Sequence, residues 1–425
     1  WLPKKDVMYA KTTESPMVLW DERDDFEGTT AYGIDEMRAD GIYHFERANL
    51  FSNQMVFKYN TFDADTSDFE LKNEDQNSGE FALQTKNVKS HVDYTERFAS
   101  FKSNGKTEPI FFPANKYLCY MDVFKWYMDN GIIEMSSSES TEVEADVKLE
   151  GSKFISTHPN QDSLFFFSPV AQYDSRKHRI AAKRVAFIYS GDARIYPDSG
   201  DVTLRRDARM DLLKNSRIIT NSITEFHEVY EANTQIKGRK DYVSSGKIDY
   251  VDETGLVQTI YMYSIVVDDA GQTMGKGSIS DTANFALSPF FAFDGGVKLF
   301  GSKQFLVFDG VAQINHECTS LEKRWIDFES EIDPNNIFIP LDSNLRDSSG
   351  AFIATGVNLN VDSIFLYPGF LTKRQNYSDI QVVQALGLLH YDKASKEYRI
   401  GAKDKIVEQS LAGNYLSLST EACKV

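Results

Sequence analysis

Basic side chains gather in two short stretches of a chain that is acidic overall. The 425 residues include 46 Lys and Arg against 63 Asp and Glu, so the formal net charge is −17. Basic groups along one strand edge can bind the phosphates or carboxylates of an anionic ligand. They can instead pair with acidic side chains of the protein's own surface, which we favour. The candidate anion-binding residues are Arg176, Lys177, Arg179, Lys183, Arg184, Arg205 and Arg206.

Two groups of acidic residues have a spacing that could support glycoside hydrolysis. That reaction needs two carboxyl groups facing each other in a cleft. Glu225 and Glu228 flank His227, and Asp63 and Asp65 flank Ala64. Acidic side chains at alternating positions also keep strand edges from pairing with other chains, and we favour this role. We therefore expect no catalytic residues and no enzymatic activity.

The histidines and cysteines lack the spacing of a metal centre. His316 lies two residues before Cys318 without further ligands nearby. Residues 331–336 could form a calcium loop, but they lack the EF-hand spacing and its glycine, so we favour a plain turn. No Gly-rich phosphate-binding motif occurs, and we expect neither metal nor cofactor. Cys318 and Cys423 could form a disulfide if their region is one domain; we favour two buried free thiols.

Short alternating runs of apolar and polar residues predict a mostly-β protein. Examples are 41–46, 248–252 and 297–300, and turn sequences such as 198–201 and 252–255 separate runs of this kind. The turns combine Asp with Gly, which suits tight connections between strands. Their spacing favours a sandwich or solenoid over βαβ units. We predict stacked β-jellyroll or solenoid-like repeats with one or a few helices.

One stretch has the spacing of an amphipathic helix. Large apolar side chains recur every three or four residues over 116–130, with Asn115 before the stretch and Gly131 after it. We predict a helix near 116–130 that closes one end of a β core; a platform for sugars is the alternative role of its aromatic face.

Polar stretches predict how the chain divides. Residues 136–145 are acidic and rich in Ser, as expected of a linker. We predict an N-terminal β region over 1–135, this linker, a β-repeat region over 146–281 and a C-terminal β-repeat region over 282–425.

Two segments of the chain resemble each other. Residues 171–183 and 389–403 both predict a strand, an Asp-led turn and a second strand, with two extra residues in the second turn. Hairpins that repeat in this way bury their apolar faces on neighbours, which favours a stacked architecture.

Several of these segments resemble the OstA/LptA-like periplasmic repeats of lipopolysaccharide transport. The resemblance covers 31–72 and 170–310 and is carried by 37–66, 180–185, 192–195, 200–204, 208–210 and 232–239. The overall character of the amino-acid sequence also resembles that of very large envelope proteins of Bacteroidota-type bacteria. In the OstA/LptA-like family, short strands stack into a curved jellyroll whose apolar interior shields lipid chains. The resemblance implies a periplasmic or outer-membrane-associated location.

Three functions remain open from the sequence. We expect a non-enzymatic cell-envelope protein, a scaffold or conduit for glycolipid or outer-membrane components, with apolar residues of 180–240 and 290–312 lining a groove. One alternative is a carbohydrate-binding or carbohydrate-active module that stacks Trp126, Tyr127, Tyr261 and Trp325 on sugar rings. The other is a structural subunit of a larger envelope complex, which predicts an exposed apolar patch.

The expected partners follow from charge and from the chain's first residues. A net charge of −17 argues against nucleic acid as a partner. The sequence has no run of 18 apolar residues, so we expect no transmembrane segment. We expect other envelope proteins or further domains of the same chain as partners, with a glycolipid as a candidate ligand.

The sequence opens at Trp1 without Met or a signal-like segment. A removed signal peptide or a longer parent chain would explain this, and we favour the longer chain.

Overall fold

The computed structural model describes residues 6–20, 24–74, 80–105, 108–137, 140–144, 147–280, 283–319, 321–347, 349–408 and 415–425. Strands hold 60% of the residues and helical segments 4%, so the mostly-β prediction is confirmed. Two compact units are present: unit 1 comprises 1–222 with 231–243, and unit 2 comprises 223–230 with 244–425. Among the described residues, no helix has the length and apolar character needed to cross a lipid bilayer.

Unit 1 is built from short and medium strands joined mostly by tight turns. Its strands are β1 Met8–Lys11, β2 Met17–Leu19, β3 Asp24–Tyr32, β4 Met37–Phe45, β5 Ala48–Lys58, β6 Thr61–Lys72, β7 Phe81–Asp93, β8 Phe98–Ser103, β9 Ile110–Phe112, β10 Tyr117–Cys119, β11 Val123–Tyr127, β12 Ile132–Ser136, β13 Ser140–Glu144, β14 Val147–Glu150, β15 Ser152–Ser156, β16 Phe165–Ser168, β17 Val170–Asp174, β18 Arg179–Lys183, β19 Ile188–Ser190, β20 Ala193–Tyr196, β21 Val202–Leu204 and β22 Leu213–Thr220. Strands β23 His227–Gly238 and β24 Asp241–Val251 contain residues of both units.

The largest antiparallel sheet described in unit 1 divides at β7. Strands β3 to β8 pair in chain order, and the sheet continues through β11, β12, β17, β18 and β21. The other end of β7 pairs with β9, which leads to β10, β15 and β16. The ring centroids of Phe112 in β9 and Tyr173 in β17 are 4.7 Å apart. The two branches therefore face each other across an aromatic core.

A pair of glycines brings β3 and β4 unusually close together. Gly28 and Gly41 are directly opposite in the register, with φ angles of 150° and 155°. A Cβ atom on Gly41 would lie 2.1 Å from the carbonyl oxygen of Glu27. Only glycine fits at such an approach, and glycines of this kind let a strand bend. Gly295 and Gly310 form the same kind of pair in unit 2.

The described residues of unit 2 form three antiparallel sheets. Its remaining elements are β25 Val257–Val267, β26 Thr273–Ile279, β27 Ala286–Ser288, β28 Phe291–Phe300, β29 Val307–Ile314, β30 Trp325–Glu331, β31 Ile339–Leu341, β32 Ala354–Asn360, β33 Phe365–Thr372, β34 Ile380–Gln384, β35 Gly387–Asp392, β36 Glu397–Gly401, the short helix α1 Lys403–Ile406 and β37 Leu416–Ser419. Strands β25, β26, β28, β29 and β30 pair in that order. The other sheets have the orders β31–β35–β36–β37 and β33–β32–β34.

A disulfide links two distant parts of unit 2. Cys318 precedes β30, and it bonds to Cys423, which follows β37. Two free thiols at these positions were the favoured expectation, and that expectation is wrong. Sequence spacing does not show that β37 pairs into a sheet that brings the C-terminal segment beside Cys318. The remaining cysteine, Cys119, is free and buried.

The predicted hairpins at 171–183 and 389–403 are confirmed, and they share one turn geometry. In each turn, the Oδ1 atom of an Asp accepts hydrogen bonds from the backbone N–H groups of the residues two and three positions later. The residue four positions later has a positive φ. The turns after Asp93 and Asn360 are built the same way. The two turns have the same length in the structure. The prediction that the second turn contains two extra residues is therefore wrong.

A second turn type, Asp-x-x-Gly-x, occurs after Asp252, Asp268 and Asp347. In each case the Asp Oδ1 atom accepts the N–H groups two and four residues on. At Asp347 the Ser349 hydroxyl also donates, and Arg324 and Lys373 lie beside the carboxylate. The hydrogen bond from Ser349, the backbone amides and Lys373 together lower the pKa of Asp347 to about 2, against the opposing effect of burial.

The Asp347 turn should make unit 2 less stable in acid. The folded-state pKa lies below the value of about 3.9 in an unfolded chain, so the stabilisation is present above about pH 4 and is lost as the pH falls towards 2. We expect the difference in unfolding free energy between the wild type and Asp347→Asn to shrink by about 2 kcal/mol over that range. Urea unfolding at several pH values measures it; a difference independent of pH would contradict the prediction.

The prediction of a helix over 116–130 is wrong. These residues form β10 and β11. The buried side chains alternate twice, at Tyr117, Cys119 and Met121 and then at Phe124, Trp126 and Met128. The two runs are out of phase by one residue, and their combination produces spacings of three and four that imitate a helix. Asn115 does not cap a helix; its Nδ2 atom donates to the carbonyl oxygen of His178.

The predicted linker contains a strand. Residues 140–144 form β13, which pairs with β14 as a hairpin. Residues 138, 139, 145, 281 and 282 lie outside the described residues. The boundaries proposed at 136–145 and at 281/282 stay predictions.

Candidate functional site

A groove of about 750 Å³ lies on the outward face of the unit 1 sheet, across β4, β5, β6, β7 and β9. The strand registers place five of its side chains, one from each strand, in a single row: His44, Asn49, Glu70, Gln84 and Phe111. A row of this kind crosses the strands, so an extended ligand can contact all five side chains at once.

A second row runs beside the first. Ile42, Phe51 and Asp68 are opposite one another on β4, β5 and β6 and also line the groove. Phe51 is 45% exposed although it lies in the middle of a sheet. Its ring therefore offers an open apolar face next to the polar row.

Strand alternation explains why these residues face outward. Tyr43, Leu50 and Phe69, which lie between the groove residues on β4, β5 and β6, are fully buried in the core. Because successive side chains of a strand point to opposite faces, their neighbours must face solvent. The buried aromatic residues thus determine which polar residues form the groove.

Hydrogen bonds hold the polar row in place. The Nδ1 atom of His44 and the Oδ1 atom of Asn49 are 2.8 Å apart. Gln84 donates from Nε2 to Oε1 of Glu70 over 3.0 Å, and Asp68 Oδ1 accepts the backbone N–H of Asn87 over 3.0 Å. These bonds orient the side chains before a ligand arrives, which lowers the entropy lost on binding. Asn49, Gln84, Glu70 and Asp68 each have a second polar atom that can contact a ligand, whereas the Nε2 atom of His44 lies 3.8 Å from Glu27 Oε1.

The groove is acidic. Asp68, Glu70 and Glu108 line it, against Lys86 and the imidazole of His44. This excess of carboxylates disfavours phosphates and other anions. Carboxylates and amides instead suit a ligand rich in hydroxyl groups, which can donate to the former and both donate to and accept from the latter.

The groove continues along the strands. A neighbouring depression of about 350 Å³ shares Phe51 and Asp68 with it and extends to Asn53, Gln54 and Thr66. The exposed ring of Phe51 therefore lies between two polar depressions, which gives room for a ligand of more than one ring.

Five of the seven predicted anion-binding residues pair with acidic side chains, the arrangement that we favoured. The pairs are Arg176 with Glu74, Lys177 with Asp174, Arg184 with Glu150, Arg205 with Asp211 and Arg206 with Glu80. Arg179 and Lys183 begin and end β18. All seven lie on or just beyond β17, β18 and β21, and anion binding by them stays a prediction.

The acidic residues that we considered for glycoside hydrolysis lie in different surroundings. Asp63 contacts His91 over 2.7 Å and Asp65 contacts Lys89 over 2.8 Å, so these two carboxylates pair with the next strand. Glu228 and His227 line another groove, of about 470 Å³, in unit 2, whereas Glu225 is not part of its lining. His227 Nε2 lies 2.8 Å from the carbonyl oxygen of Lys303, and burial lowers the imidazole pKa.

The two stretches considered as metal sites contain a disulfide cysteine and a turn. His316 is buried, its Nδ1 atom accepts the backbone N–H of Cys318, and that cysteine is in the disulfide. In 331–336, Asp333 Oδ1 accepts the N–H of Asn335, which is the turn that we favoured over a calcium loop. Among the described residues, no group of three His, Cys, Asp or Glu side chains could hold a metal ion.

The aromatic residues proposed for sugar stacking are dispersed. Trp126 is 1% exposed and packs in the unit 1 core, so its assignment to a platform is wrong. Tyr127 lies on the outward side of β11 and donates to Glu134. Tyr261 is exposed on β25 and Trp325 is half-buried at the start of β30. None of the four lines the unit 1 groove.

The comparisons with known proteins give no relative. No protein-family model, no curated protein and no solved structure matches the chain.

The residues of the unit 1 groove were missed by sequence reasoning. The available signal was Phe51. In this alternating run, Leu50 is at a position where an apolar residue is expected, whereas the aromatic Phe51 is at a position where a polar residue is expected. Single exposed apolar residues are common on protein surfaces, so this signal alone did not predict a binding surface.

Proposed function

We propose that the chain is a non-enzymatic cell-envelope protein whose unit 1 binds the sugar part of an envelope component. The single observation that carries the proposal is the row of hydrogen-bonding side chains from His44 to Gln84, flanked by the rings of Phe51 and Phe111. Hydroxyl groups suit the polar row, and the apolar face of a sugar ring suits an aromatic ring. The acidic lining favours an uncharged glycan.

The disulfide supports a location outside the cytoplasm. Disulfides persist in oxidising compartments such as the periplasm and are rare in the cytosol. The Cys318–Cys423 bond is therefore compatible with the periplasmic or outer-membrane-associated location that the sequence resemblance implies.

The conduit for acyl chains receives less support than glycan binding. Apolar residues of 290–312 that were expected to line a groove pack against one another: the ring centroids of Phe293 and Phe308 are 5.0 Å apart, and those of Tyr250 and Phe308 are 5.4 Å apart. In 180–240, Ile180, Ile195 and Ile218 are likewise fully buried. Side chains that are fully buried against one another leave no open apolar surface for a lipid chain at these positions.

The proposal predicts that the groove side chains control affinity for glycans. We expect the wild type to bind an uncharged glycan on an array, and Glu70→Gln to weaken its affinity by about 10- to 100-fold, because hydrogen bonds to charged groups contribute about 1.5–3 kcal/mol. Phe51→Ala should weaken it by about 3- to 10-fold through loss of ring stacking. Isothermal titration with the best glycan measures both.

A matched control separates the groove from general charge effects. Glu329→Gln removes one exposed carboxylate from β30 in unit 2 and should leave the affinity unchanged. The proposal fails if no glycan binds, or if Glu70→Gln and Phe51→Ala bind as tightly as the control. Chromatography of the glycan after incubation tests the non-enzymatic part, because shorter products would reveal cleavage.

A further inference from the structure

The groove of about 470 Å³ in unit 2 has a floor made by two neighbouring strands. Glu228 and Tyr230 of β23 and Asp249 and Val251 of β24 line it. In each pair the two residues are separated by one buried residue, so their side chains lie on the same, outward face. All residues that line this groove belong to unit 2, and we refer to it as the unit 2 groove.

Hydrogen bonds hold the carboxylate of Asp249 in place on this floor. The hydroxyl of Tyr230 donates to Asp249 Oδ1 over 2.6 Å, and the hydroxyl of Thr259, on β25, donates to the same atom over 2.9 Å. Because both bonds use Oδ1, the Oδ2 atom can accept a hydrogen bond from a ligand. A carboxylate that is already oriented loses little conformational entropy when the ligand binds.

Two connecting segments form the sides of the unit 2 groove. The loop between β28 and β29 supplies Gln304 and Phe305, and the segment after β30 supplies Pro334. The Nε2 atom of His227 lies 2.8 Å from the carbonyl oxygen of Lys303 in the same loop. This hydrogen bond ties the loop to the start of β23, so His227 positions the side that carries Gln304 and Phe305.

The lining of the unit 2 groove suits the hydroxyl groups and the apolar face of a sugar. Glu228 and Asp249 supply carboxylates, and among the described residues that line the groove none is Lys or Arg, which disfavours anions. Carboxylates accept hydrogen bonds from hydroxyl groups, and the Gln304 amide can both donate and accept. Phe226 is 44% exposed, so its ring can pack against a sugar ring.

We infer that the unit 2 groove is a second glycan-binding site, for the same class of uncharged sugar as the unit 1 groove. The class of ligand rests on the proposed function. Both grooves combine an exposed Phe, at 226 or 51, with carboxylates and an amide on an outward sheet face. The unit 2 groove is smaller, about 470 Å³ against 750 Å³, so it binds a shorter stretch of the glycan.

The test is where glycans protect the full chain from hydrogen exchange. The probes are uncharged tetrasaccharides of glucose, mannose, galactose and N-acetylglucosamine. The probe that binds should slow exchange in peptides that cover 226–230, 248–251 and 304–306, in addition to peptides from β4 to β7. Isothermal titration with that probe should find two sites per chain.

Substitutions in the unit 2 groove should weaken one of these two sites. Asp249→Asn removes the charge but keeps an oxygen that Tyr230 and Thr259 can donate to, and it should weaken the unit 2 site about 10-fold. Phe226→Ala should weaken it about 3- to 10-fold. Asp327→Asn is the matched control, because this exposed carboxylate of β30 lies outside the groove. Circular dichroism checks that each variant folds.

The possible outcomes separate this inference from the proposed function. Protection of unit 1 peptides alone, or Asp249→Asn and Phe226→Ala variants that bind like Asp327→Asn, overturns the inference and leaves the unit 1 site intact. Protection of unit 2 peptides alone supports the inference and contradicts the unit 1 site. If no probe protects either groove, both are wrong.

Discussion

Gly41→Ala should destabilise unit 1 by about 3 kcal/mol, because the new methyl group has no space. Its carbon would lie 2.1 Å from the carbonyl oxygen of Glu27, 2.8 Å from the Cα atom of Gly28 and 2.9 Å from the ring of Phe26. The first two are backbone atoms, so β3 and β4 would have to move apart. Urea unfolding gives the overall effect, and hydrogen exchange of peptides from β3 and β4 locates it.

Gly255→Ala is the matched control for this substitution. Gly255 also has a positive φ, of 85°, but a Cβ atom there meets nothing within 4 Å. Alanine at this position should cost about 1 kcal/mol, which is the conformational cost alone. If the two variants lose equal stability, close approach of the strands is not the reason for glycine at position 41.

Removal of the disulfide should destabilise unit 2 by about 4 to 5 kcal/mol. The bond closes a loop across a sequence separation of 105 residues, and a loop of this length loses much conformational freedom in the unfolded chain. The variant Cys318→Ala with Cys423→Ala removes it. Urea unfolding, followed by hydrogen exchange of unit 2 peptides, measures the loss, and a reducing agent should have no further effect on the variant.

Cys119→Ala is the control for the loss of a cysteine. Cys119 is buried in unit 1, and its removal should leave the exchange of unit 2 peptides unchanged. Thiol titration of the denatured, unreduced wild type should find one free thiol per chain. Three free thiols, or a double variant as stable as the wild type, would show that the bond does not form in the protein.

Local features of the sequence were sufficient for the fold class. Alternating runs predicted strands such as β4 and β28, and the Asp-led turns predicted the hairpins at 171–183 and 389–403. These features are local, because a strand alternates along its own residues and a turn bonds to its own backbone. The error at 116–130 has the same origin: two short alternating runs, out of phase, imitate a helical spacing when they are taken as one.

Strand register was decided only by the tertiary structure. The groove joins His44 and Asn49 with Glu70, Gln84 and Phe111, and no spacing along the chain predicts that these residues share one row. The register depends on bulges and on close approaches such as Gly28 with Gly41, which are contacts between strands. The Cys318–Cys423 bond depends in the same way on contacts between distant segments. Amino-acid order thus determined that this protein forms strands and hairpins, whereas the pairing of distant strands determined which side chains meet.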